Sequence, residues 1–281
     1  MGYRTILLNL QDPNRAEAVI QAGIGLARRF DSHLIGLYVV PKVQYFYATA
    51  AIQVAAEVFE AEQRFFDEQA EKNRKIFERE VPADIVSEWR RVEADGPVTT
   101  NRTVEQALCC DLVITAQIDP ERGLEGDIEA PERIIMESGR PVLVLPYAGQ
   151  FKSIGTSILV GWNATREAAR ATFDSLPLLK KAKTVKLLWV NPDAANGGSG
   201  TGMPGSELAA TLSRHGVNVE AGHSVAKDVG VGDELLSRAA DQGADLIVMG
   251  AYGHSRVREY VFGGATRHIL RHMTVPILLS H

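Results

Sequence analysis

Short apolar runs alternate with longer stretches of mixed polarity along the whole chain. The runs hold about four to six residues rich in Val, Ile and Leu, as in 6–10, 37–40, 142–145 and 246–249. Runs of this length, separated by segments with helical periodicity, are typical of parallel strands that are covered on both faces. The pattern therefore predicts an α/β protein.

The same succession of elements occurs twice. Four segments of the first half are echoed in the same order in the second half: 6–10 by 158–162, 33–41 by 184–192, 111–114 by 245–248, and 140–145 by 275–279. The segment 147–153 lies between the two sets and is short. We therefore predict two similar domains, 1–149 and 150–281, arranged as an intramolecular pseudo-dimer.

Composition narrows the classes of function. The chain has 281 residues, 45% of them apolar and 23% charged, with a net charge of −5. This balance argues against a nucleic-acid-binding surface. No apolar run approaches the roughly 18 residues of a membrane span, and the first residues lack a signal-peptide core. We therefore expect a cytoplasmic protein that contacts neither nucleic acid nor membrane.

The segment 245–266 carries the strongest chemical signal. An apolar strand runs into spaced glycines, and a helical pattern begins directly after them. Anions bind main-chain N–H groups that side chains would otherwise cover, and the amino-terminal end of a helix adds a positive dipole. The segment therefore predicts a phosphate cradle.

The spacing Gly250-x2-Gly253-x9-Gly263, followed by Thr266, resembles the universal stress protein family, here as two domains in tandem. The resemblance implies two Rossmann-like domains, each a five-stranded parallel sheet of order 3-2-1-4-5 with helices on both faces. It also implies ATP across the crevice between strands 1 and 4. The implied phosphate loop consists of Gly250, Gly253, Gly263, Gly264, Ala265 and Thr266.

The resemblance implies further contacts and shows two departures. Gly264 stands where the family usually has Ser or Thr, so a hydroxyl ligand worth about 1.5–3 kcal/mol is missing. Asn163 stands where the family often has Asp near adenine or ribose, and it equally fits a helix cap. Gly161 and Trp162, which precede Asn163, are further candidates for contact with the nucleotide. Two further candidates have structural alternatives. Val190 either packs on the adenine ring or is buried in the core, and Arg256 either contacts phosphate or is solvated.

The first half lacks these features. An ungapped comparison of the two halves pairs Gly250 with Ala116, Gly253 with Asp119, Gly263 with Glu129, Gly264 with Ala130, and Thr266 with Glu132. Acidic side chains would repel phosphate. We expect no ATP in this half.

These observations predict a stress-response protein that binds ATP, with magnesium as an accompanying ion, and that acts as a regulatory module for an unidentified protein partner. At most it is a slow ATPase. One alternative is a nucleotide-free interaction module, and another is an adenylation enzyme. The acidic segment 119–132 has oxygen ligands suited to a divalent metal, but nothing in its spacing fixes a geometry. The apolar last strands, 142–145 and 277–279, pair either within one chain or across a homodimer.

Overall fold

The computed structural model describes residues 2–42, 52–96, 98–119, 130–151, 153–192, 203–226, 228–253 and 264–281. Strands and helices alternate along these residues, which confirms the α/β class. The chain forms two compact units, Tyr3–Ser138 and Gly139–His281. None of the described helices combines the length and the apolar character that crossing a membrane requires.

The first unit is built on parallel strands in the order β3-β2-β1-β4. Its elements are β1 (Thr5–Asn9), α1 (Ala16–Phe30), β2 (His33–Val40), α2 (Ile52–Glu80), β3 (Ser87–Glu93), α3 (Thr100–Ala107), β4 (Leu112–Ala116) and α4 (Ala130–Glu137).

Helices cover both faces of this sheet. The neighbouring residues Leu7 and Leu8 point to opposite faces of β1, and both are fully buried. Helix α1 reaches β1 closely, since a Cβ on Gly23 would lie 2.7 Å from a methyl carbon of Leu8. Helix α2 lies on Gly36, where an added Cβ would come within 2.8 Å of the Phe77 ring. Residues without side chains thus let two helices approach the sheet.

The described residues of the second unit form six strands in the order β5-β10-β9-β6-β7-β8. Its elements are β5 (Val142–Leu145), β6 (Ser157–Trp162), α5 (Arg166–Asp174), α6 (Leu176–Leu179), β7 (Thr184–Val190), α7 (Ser206–Arg214), β8 (Val219–Ser224), α8 (Val231–Asp241), β9 (Leu246–Gly250), α9 (Ala265–His272) and β10 (Ile277–Ser280).

Strand β5 is the one antiparallel member of the second unit's described sheet. It closes the first half of the sequence, but it pairs with β10, so that Val144 lies opposite Ile277 and Leu143 opposite Leu278. Both strands are fully buried along their apolar residues. The two apolar edges thus satisfy each other within one chain, which was one of the two arrangements left open by the sequence.

The two units close the amino-terminal edge of the sheet in the same way. In the first unit, Asp111 accepts the main-chain N–H groups of Arg4 at 2.7 Å and Thr5 at 2.9 Å. In the second unit, one carboxylate oxygen of Asp245 accepts those of Thr156 at 2.8 Å and Ser157 at 2.9 Å. Thr5 therefore corresponds to Ser157. Counting along the paired strands from this point matches Gln11 with Asn163 and Val39 with Val190.

Candidate functional site

The candidate site lies in the second unit, at the carboxyl ends of β6, β7 and β9. Beyond Trp162 the chain turns through Ala164, which has a left-handed φ of 56°, into helix α5 with Thr165 as its N-cap. The side-chain oxygen of Asn163 accepts the main-chain N–H of Thr165 at 3.3 Å and its hydroxyl at 2.8 Å. Thr165 in turn accepts the N–H of Ala168 at 3.3 Å. The oxygen of Asn163 therefore supports the cap, while the residue remains exposed.

Gly250 is required by packing. A Cβ at this position would lie 2.5 Å from the main-chain nitrogen of Ala168 and 2.5 Å from the carbonyl carbon of Glu167. Main-chain atoms cannot yield as the end of a flexible side chain can, so any larger residue would push β9 away from α5. The fold alone therefore explains this glycine.

Gly253 differs from Gly250. It does not adopt a left-handed backbone conformation, so another residue would be conformationally acceptable. Among the described residues, an added Cβ would meet side-chain atoms, Glu167 Oε2 at 3.1 Å and Thr165 Oγ1 at 3.4 Å. No main-chain atom of the described residues therefore demands glycine here. What glycine does provide is uncovered main chain beside the first turn of α5, which is the property that an anion site needs.

A buried carboxylate lies behind Gly253. Glu167 is only 7% exposed, and its Oε1 lies 3.0 Å from a guanidinium nitrogen of Arg166, whose side chain is 81% exposed. A phosphate placed against Gly253 would approach this carboxylate, and Arg166 offsets part of the repulsion. Neither Glu167 nor Arg166 was predicted as a site residue, because the position of Glu167 in the sequence does not reveal that it is buried.

The first turn of α9 is the second helix end at the candidate site, beside that of α5. Its N-cap is Gly264, which offers no side chain to cap the helix. Ala265 follows, and then Thr266, which is 2% exposed and accepts the N–H of Tyr252 through its hydroxyl at 3.2 Å. This hydroxyl joins the exit of β9 to α9 and is covered. An anion at this helix end would therefore be bound by main-chain N–H groups.

The remaining predicted residues lie at the ends of β6 and β7 or outside the described residues. Val190 ends β7 and is half-buried. Trp162 ends β6, and its Cδ1 would be 3.9 Å from a Cβ on Gly205. Gly161 precedes it, with the methyl carbons of Leu235 at 3.4 Å from its Cβ position. Arg256 and Gly263 lie outside the described residues.

The corresponding edge of the first unit is closed by its own side chains. The Gln11 amide donates to the carbonyl oxygen of Val39 at 2.8 Å and accepts the N–H of the same residue at 3.1 Å. These residues correspond to Asn163 and Val190. The side chain of Gln11 thus takes the main-chain groups that a ligand in this crevice would approach.

Two further amides fill the same edge of the first unit. Asn73, fully buried on α2, donates to the carbonyl oxygen of Leu10, the residue after β1, at 3.0 Å. Asn9 donates to the hydroxyl of Thr115 at 3.1 Å, between β1 and β4. In the parts of the chain that the structure describes, no three His, Cys, Asp or Glu side chains form a group that could hold a metal ion. Most of the acidic segment 119–132 lies outside those parts.

Comparison with known proteins agrees with this architecture. The sequence model of the Universal stress protein family matches residues 156–281. A universal stress protein of Synechocystis is 32% identical over 157 residues, which cover 52% of this chain and 49% of that protein. The match therefore spans about half the length of this relative.

Two solved structures share the fold over nearly the whole chain. A universal stress protein from Archaeoglobus fulgidus superposes with a TM-score of 0.67 at 15% identity, covering 99% of this chain and 96% of its own. A protein of unknown function from Pseudomonas aeruginosa superposes with a TM-score of 0.58 at 14% identity, covering 99% and 92%. Over residues 156–281, the chain is therefore similar to the universal stress protein family.

Proposed function

We propose that this protein binds an adenine nucleotide, ATP, in the second unit and acts as a nucleotide-responsive regulatory module. The observation that carries the proposal is Gly253, whose missing side chain is required neither by its backbone conformation nor by main-chain packing against any residue that the structure describes. The glycine leaves main chain open at the point where the first turn of α5 meets the end of β9. An open main chain at this point suits a phosphate.

The described residues fit such a ligand in two parts. The phosphates would lie against Gly253 and the first turn of α9 at Gly264, where main-chain N–H groups replace the hydroxyl that the family usually supplies. The base would lie toward Val190 and Asn163 at the ends of β7 and β6. Arg256 and Gly263 are proposed to complete the phosphate loop, and magnesium would accompany ATP through its phosphate oxygens.

One nucleotide per chain follows from the difference between the units. Gln11 already takes the main-chain groups of Val39, and the first unit has Asp119 where the second has Gly253. We assign no catalytic residue, because the carboxylate nearest Gly253, Glu167, is paired with Arg166. The nucleotide would therefore act by changing the surface that a protein partner contacts.

A nucleotide-free interaction module is the second candidate. Gly250 favours it, since main-chain packing alone accounts for that glycine. If the same explanation held for the whole motif, the glycines would serve only the turn from strand to helix.

Isothermal titration calorimetry of the full chain with ATP, with and without magnesium, separates the two candidates. We expect one site per chain in the wild type. Gly253→Asp should abolish binding, because a carboxylate would occupy the phosphate position, whereas the isosteric but neutral Gly253→Asn should retain weaker binding. The absence of binding at millimolar ATP in the wild type, or equal binding by the Asp and Asn variants, would overturn the proposal.

A further inference from the structure

Helices α8 and α9 touch through their first turns. Gly232, in the first turn of α8, is buried, and a Cβ placed on it would lie 3.0 Å from the His268 ring, 3.2 Å from Ile269 and 3.3 Å from the carbonyl oxygen of Ala265. A side chain at this position would need its neighbours to move by a few tenths of an ångström. The first turn of α9, which forms one wall of the candidate site, therefore rests directly on α8.

The next residue along α8 joins the two helices chemically. Asp233 Oδ1 lies 2.6 Å from Nε2 of His268 in the first turns of α9. The His268 ring also stacks on His272, with ring centroids 4.3 Å apart and planes 27° apart. His272 Nδ1 in turn lies 2.9 Å from the carbonyl oxygen of His268. The imidazole of His268 is thus held between a carboxylate on α8 and a second ring on α9.

This contact is tied to the residues of the site. The main-chain N–H of His268 donates to the carbonyl oxygen of Gly264 at 3.1 Å and so closes the first turn of α9. Thr266, between them, accepts the N–H of Tyr252 at the exit of β9. The first turn of α9 is therefore held to β9 by Thr266 and to α8 by the contact between Asp233 and His268.

We propose that Asp233 and His268 are a positioning pair that fixes the first turn of α9 for phosphate binding. This inference rests on the proposed function. Main-chain N–H groups contribute most to anion binding when they are already oriented, because no ordering cost is then paid on binding. Loss of the pair would let the first turn of α9 shift on α8. Affinity for the phosphates should suffer, while contacts to the base at the ends of β6 and β7 should not.

The experiment compares ATP with adenosine, which lacks the phosphates, in calorimetric titrations of the full chain. Asp233→Ala should weaken ATP binding about tenfold and leave adenosine binding unchanged within about twofold. Asp233→Asn should keep most of the ATP affinity, because its carboxamide oxygen still accepts a hydrogen bond from the imidazole. Arg238→Gln is the matched control, since it breaks an ion pair with Glu234 inside α8 at 2.8 Å. It should leave both affinities unchanged.

Amide hydrogen exchange of the nucleotide-free protein provides an independent readout. Exchange across 265–268 should rise in Asp233→Ala and remain at the wild-type level in Asp233→Asn and Arg238→Gln. Equal loss of ATP and adenosine affinity in Asp233→Ala, unchanged affinity for both, or unchanged exchange would overturn the inference. If the wild type itself binds no ATP, the proposed function fails, and exchange alone then decides whether the pair holds the first turn of α9.

Discussion

Substituting Gly250 and Gly253 by alanine, one at a time, tests whether the first glycine serves packing and the second serves the proposed phosphate site. At Gly250 the new methyl group would lie 2.5 Å from two main-chain atoms of α5. Overpacking of a tight contact costs about 1–3 kcal/mol, and a contact with main chain belongs at the upper end of that range. The melting temperature should fall by several degrees, at about 2–4 °C for each kcal/mol.

At Gly253 the methyl group would meet two side-chain groups of the described residues, the Glu167 carboxylate at 3.1 Å and the Thr165 hydroxyl at 3.4 Å. Side-chain ends of this kind can move by a few tenths of an ångström, so the free energy of unfolding should change by about 0.5 kcal/mol or less. The methyl group would nevertheless cover main chain that phosphate needs. We expect at least a tenfold loss of ATP affinity in Gly253→Ala with an almost unchanged melting temperature.

Chemical denaturation measures the stability of both variants, and calorimetric titration with ATP measures their affinity. The proposed role of Gly253 is wrong if Gly253→Ala is the more destabilised of the two variants, or if it binds ATP as tightly as the wild type. The packing role of Gly250 is wrong if Gly250→Ala keeps wild-type stability, because β9 would then not lie as close to α5 as the structure shows.

Three further changes test other parts of the structure. Gln11→Ala should lower the free energy of unfolding by about 1–3 kcal/mol, because the N–H and carbonyl of Val39 lose their partner, and titration should still give one ATP per chain. Glu167→Gln should tighten ATP binding roughly three- to tenfold by removing like charge behind Gly253, and an unchanged or weaker affinity would contradict that placement. Burial raises the pKa of Tyr38 to about 12 from the ordinary 10, so the unfolded chain loses this proton first. Stability should therefore be unaffected below about pH 10 and fall by about 2–3 kcal/mol as the pH rises to about 12, a loss that Tyr38→Phe should remove in alkaline denaturation curves.

The sequence by itself determined the fold class and predicted a phosphate site, which stays a prediction. Apolar runs of strand length, repeated in order, led to parallel strands covered by helices, because the period and length of such runs are local properties of the chain. The spacing of the glycines after β9 and the helical pattern that begins at Ala265 led to a family whose sequence model matches 156–281. The acidic replacements in the first half were visible in the same way.

Only the tertiary structure separated the roles of residues that look alike in the sequence. Gly250 and Gly253 are three positions apart. An added Cβ would meet main-chain atoms at Gly250, whereas at Gly253 it would meet side-chain atoms of the described residues. The pairing of β5 with β10 was likewise one of two arrangements that the apolar edges allowed. The contact between Asp233 and His268 joins residues 35 positions apart on two helices. Such distinctions depend on which atoms meet after folding, and neither residue type nor spacing along the chain carries that information.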